Sequence, residues 1–89
     1  MKQQTANNLL EWLLDEVDDD CLMVDGFDEA IIGYEYISGR IIYNVDAMID
    51  ILMNEDGMVY LDALEYLEYN VFNAYVGEKT PIYVNIKDA

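Results

Sequence analysis

Histidine is absent from this 89-residue chain, cysteine and proline occur once each, and only four residues are basic. Each shortage closes off a class of chemistry. Without an imidazole, neither Cys21 nor Ser38 has the usual general base, and no glycine-rich phosphate loop is present. Paired acids could cleave a glycoside, but that needs a substrate cleft between two placed carboxyls, and so short a chain has little room for one. A non-enzyme without a cofactor is expected. The lone Cys21 excludes an internal disulfide and fits a reducing compartment. No apolar run reaches the ~20 residues of a membrane span, and the start MKQQTANN lacks the apolar region of a signal peptide. A cytoplasmic protein is expected.

What the chain does contain is apolar mass and negative charge. Apolar residues make up 54%, with nine Ile, nine Leu, seven Val and eight Tyr, enough for one core and too many for disorder. A single domain over residues 1–89 follows from the length. Nineteen acidic residues give a net charge of −15. No Lys or Arg occurs from Ile41 to Gly77, where Asp46, Asp50, Glu55, Asp56, Asp62, Glu65 and Glu68 stand, nor from Glu11 to Glu29, which holds nine more carboxylates. Repulsion on that scale opposes compaction. A basic partner, bound cations or a high-salt environment would offset it. Nucleic acid and anionic membranes are excluded as direct partners because they share the sign.

The periodicities predict α+β, with a small antiparallel or mixed sheet packed with three helices in the order α-β-β-α-α-β. A first helix is expected over Ala6 to Val17, capped at Thr5 or Asn8, with Leu9, Leu10, Leu13, Leu14 and Val17 on one face. The short apolar run Leu22 to Val24 leads to a turn at Asp25-Gly26. Ala30 to Tyr36 and Arg40 to Val45 read as a hairpin about Ser38-Gly39. A second helix, capped by Asn44 or Asp46 and closed by Asp56-Gly57, buries Val45, Met48, Ile49, Leu52 and Met53. A third runs from Tyr60 to Tyr75 and stops at Gly77, with Leu61, Leu64, Leu67, Val71 and Ala74 inward. A final strand carries Ile82, Val84 and Ile86.

The segment Asp28 to Val84, and above all EYNVFNAYVGEKTPI from Glu68 to Ile82, resembles a family of small uncharacterised acidic proteins of tailed phages and prophages. The likeness implies a viral origin, hence the cytoplasm of an infected or lysogenic bacterial host, and no particular chemistry. Gly77 as a helix stop and Pro81 as a strand entry also account for the motif through turn roles alone.

Two acidic rows are candidate partner-binding surfaces. Residues three or four apart on a helix are about 5–6 Å apart at Cβ, comparable with phosphates along one strand. Asp62, Glu65 and Glu68 form one row. Asp15, Asp18 and Asp19 form another, extended by Asp20, Asp25, Asp28 and Glu29. Tyr66 and Tyr69 lie beside the first as aromatic anchors. An EF-hand loop is excluded, because counting back from Gly26 or Gly57 puts Cys21 or Leu52 where the first Asp belongs, so no metal site is expected. The expected function is a DNA mimic: an acidic inhibitor blocking the nucleic-acid site of a basic host protein, such as a restriction or CRISPR nuclease, a DNA-repair glycosylase or a nucleoid protein. The alternative is a non-enzymatic phage assembly or interaction module, a homodimer or larger homo-oligomer, joined through apolar and tyrosine surface.

Overall fold

The computed structural model describes residues 22–86. The expected first helix, with Asp15, Asp18, Asp19, Asp20 and Cys21, lies outside the described residues. Within them the class is α+β: two α-helices and a three-stranded mixed sheet. No helix among the described residues is long and apolar enough to cross a membrane.

Strands β1 (Ile31–Tyr34) and β2 (Ile41–Asn44) form the antiparallel hairpin, pairing Ile31 with Tyr43, Gly33 with Ile42 and Tyr34 with Ile41. A bulge at Ile32 interrupts the register. The expected strand starts at Ala30, but Ala30 instead closes a 3-10 turn, Asp28–Ala30, whose Phe27 and Ala30 enter the core. Strand β3 (Ile82–Val84) lies parallel to β2, Tyr43 beside Tyr83, so β2 is central. A parallel neighbour needs a long crossover, and the two helices supply it.

Helix α1 (Val45–Glu55) begins where the sequence places it. The Asn44 side chain accepts the Asp46 N–H at 3.0 Å, and Val45, Met48, Ile49 and Leu52 are buried. Met53, expected inward, sits at the exposed edge of that face. Gly57 takes φ 70°, which lets the Asp56 and Met58 N–H groups both reach the Leu52 carbonyl. Glycine supplies that left-handed C′ conformation without a Cβ penalty.

Helix α2 (Tyr60–Leu67) continues into a wider π-helical turn over Glu68–Phe72 and ends there, short of the expected Tyr75. Its buried row is Ala63, Leu67 and Val71, with Leu64 half-buried. Leu61 and Ala74, expected inward, are exposed. Leu61 stands about 200° around the helix from Ala63, so both cannot face the core. Nor does Gly77 stop the helix. It opens a separate turn at φ 124°, where the Thr80 N–H and hydroxyl both donate to its carbonyl.

The core lies between the helices and one sheet face. Ile41 and Tyr43 of β2 are fully buried, and the Tyr83 ring stacks against Tyr43 (5.9 Å) and tilts against Phe72 (4.7 Å). The Tyr43 hydroxyl accepts the Val24 N–H at 2.7 Å, anchoring the segment before β1.

Candidate partner-binding surface

Because Ala63, Leu67 and Val71 fix the inner side of α2, its outer side is fixed as well. Residues at i, i+3, i+4 and i+7 share a helix face. Asp62, Glu65, Tyr66 and Tyr69 therefore stand together, and with Met58 and Asn70 they line a shallow groove of about 390 Å³. The Asn70 amide donates to the Tyr66 carbonyl at 3.0 Å, which orients that side chain. Tyr66 is 42% and Tyr69 80% exposed, so both phenol rings are presented to solvent beside the two carboxylates.

Glu68 does not join them. Six residues beyond Asp62 is about 600° of rotation, leaving it ~120° off that face. It lines a second groove of about 510 Å³ with Asp46, Tyr60 and Phe72, between the helices and β3. The expected row Asp62, Glu65 and Glu68 is thus divided between two grooves.

Of the other expected row, Asp25 sits in the turn with Gly26, while Asp28 and Glu29 open the 3-10 turn. All three are exposed, on a segment that packs against α1. Asp15, Asp18, Asp19 and Asp20 lie outside the described residues.

The charges are sorted by position. All seven carboxylates of the helical layer, from Asp46 to Glu68, are exposed, and no cation lies between residues 41 and 77. Among the described residues the two cations are Arg40 and Lys79. Arg40 Nε donates to the Thr80 carbonyl at 2.5 Å and Nη2 reaches the Pro81 carbonyl at 3.5 Å. Lys79 Nζ donates to the Ser38 carbonyl. Both therefore stand at the hairpin end of the molecule.

Glu35 belongs to that end too. Its carboxylate accepts the Ile37 N–H at 3.0 Å and the Ser38 N–H at 2.7 Å. The Ser38 hydroxyl first, then these N–H groups and the Arg40 charge, hold its pKa below the ordinary glutamate range. Burial alone pushes the Tyr83 phenol up. Among the described residues no three carboxylates converge as a metal-holding group.

Met58 and Asn70 are groove residues that sequence reasoning missed. Asn70 was legible as the i+4 neighbour of Tyr66, whereas Met58 arrives from the loop and carries no periodic signal. Comparison with family models, with curated proteins and with solved structures finds no match.

Proposed function

We propose that this protein is an acidic inhibitor of the phage type, which binds a basic nucleic-acid-binding protein of a bacterial host and occludes its nucleic-acid site. The observation that carries the reading is the α2 groove, where Asp62 and Glu65 stand beside Tyr66 and Tyr69 in a helical layer that contains no cation. Two carboxylates at helical spacing offer a phosphate-binding groove a pair of negative charges. Association releases counterions from both surfaces, and the tyrosine rings add apolar contact area that a bare run of charge lacks. The candidate targets are restriction or CRISPR nucleases, DNA-repair glycosylases and nucleoid proteins. The resemblance of Glu68 to Ile82 to phage proteins supports the choice of host.

The test begins with capture of host proteins on the immobilised chain at low salt, followed by competition of the purified target against duplex DNA. Binding is expected to weaken steeply with NaCl and to exclude DNA. The Asp62→Lys/Glu65→Lys variant should lose about 100-fold in affinity, since like charges across an interface cost several kcal/mol. A complex indifferent to salt, or one that still admits DNA, overturns the proposal.

A further inference from the structure

The end of the molecule that holds the cations differs from the rest in a second way. Residues 33–40 and 74–81 contain Glu35 and Glu78 against Arg40 and Lys79, a neutral balance on a chain of net charge −15. Large apolar side chains are displayed there. Tyr36 is 83% and Ile37 85% exposed at the hairpin tip, and Tyr75 and Val76 are exposed on the neighbouring loop.

This tip is held rigid by its own hydrogen bonds. Glu35 caps the Ile37 and Ser38 N–H groups, the Gly39 N–H donates to the Glu35 carbonyl at 2.8 Å, and Ser38 Oγ accepts the Arg40 N–H. Gly39 takes φ 75°, and Lys79 Nζ lies only 3.4 Å from where its Cβ would stand. Arg40 and Lys79 tie the turn to the loop before β3, and Thr80 Oγ1 accepts the Val76 N–H within that loop. A knob ordered before contact loses little entropy on docking.

A receptor for such a knob adjoins it. A groove of about 340 Å³ is lined by Met23, Val24, Ala74, Val76 and Pro81 among other largely apolar groups, and the Pro81 carbonyl is one of those that Arg40 reaches. Knob and groove therefore share one end, the arrangement a twofold contact requires, since each copy must offer both halves. Charge points to the same end. Two copies meeting through their helical layers would oppose exposed carboxylates with carboxylates, whereas, among the described residues, 33–40 and 74–81 carry two charges of each sign.

We propose that the hairpin end is a homodimerisation surface, in which Tyr36 and Ile37 of one copy enter the Val76–Pro81 groove of a second copy. The receptor groove shares Asn70 with the α2 groove but none of its carboxylates, and the inference stands independently of what the α2 groove binds.

Sedimentation equilibrium of the full chain from 1 to about 200 μM, in 0.15 M and 1 M NaCl, tests it; screening shortens the reach of the remaining repulsion from ~8 Å to ~3 Å. A dimer is expected whose dissociation constant falls at least threefold in high salt. Tyr36→Ser/Ile37→Ser and, separately, Val76→Asp should each weaken it by tenfold or more with the circular-dichroism spectrum and melting temperature unchanged, because these side chains are exposed. Asp62→Lys/Glu65→Lys should remain dimeric. A monomer at every concentration in both salts overturns the proposal, as does a dimer that survives both hairpin-end variants.

Discussion

At the residue scale, the Tyr43 hydroxyl is the polar group whose removal is simplest to interpret. Its ring is fully buried and stacks on the Tyr83 ring, and its oxygen accepts the Val24 N–H. Tyr43→Phe keeps the packing and strands the donor, so a loss of about 1–2 kcal/mol is expected in urea unfolding. Glu35 makes a prediction that depends on pH. Its acidity is raised in the folded chain by the Ser38 hydroxyl, the backbone N–H groups and Arg40. The carboxylate therefore contributes stability that is present above the ordinary glutamate range and lost as pH falls through its depressed value. Melting temperatures of the wild type and Glu35→Gln should differ at neutral pH and converge in acid. A gap that persists unchanged below pH 3, well under the ordinary value of ~4.3, would assign the effect to shape and not to charge.

At the scale of elements, the two helices differ in how much of their placement is local. The limits of α1 are written into neighbouring residues, Asn44 at its start and Gly57 past its end, and its buried face follows one unbroken periodic set. That is why sequence reading places it correctly. Gly57→Ala should accordingly cost about 1–2 kcal/mol, the penalty of putting a Cβ into the left-handed region, measured by the shift in the urea midpoint. In α2 the apolar residues occupy two overlapping registers, one through Leu61 and Leu64 and one through Ala63 and Leu67. Local spacing does not choose between them; packing against α1 does. The same ambiguity carried Glu68 into the wrong groove, since each step of three residues drifts by about 60° and two such steps leave the face. Asp62, Glu65, Tyr66 and Tyr69 were legible because one step of three, one of four and one of seven stay within it. The hairpin clasp was not legible at all, because Arg40 and Lys79 bond to carbonyls some forty residues away.

At the scale of the whole molecule, the charge distribution sets folding against binding. The helical layer holds seven exposed carboxylates without a cation, and their mutual repulsion opposes the compact state. Salt should therefore stabilise the fold while weakening capture of a basic partner, and the opposition of those two trends separates a functional charge from an incidental one. Asp62→Lys/Glu65→Lys sharpens the distinction. It removes two like charges and adds two opposite ones at exposed positions, so its melting temperature in 0.05 M NaCl should equal or exceed that of the wild type, with the difference shrinking by 0.5 M as screening takes over. If the same variant no longer binds, the loss cannot be ascribed to unfolding, and the sequence retains those carboxylates at the expense of its own stability. A variant that melts lower than the wild type would instead mean that Asp62 or Glu65 supports the fold, and the charge of α2 would then need no partner to explain it.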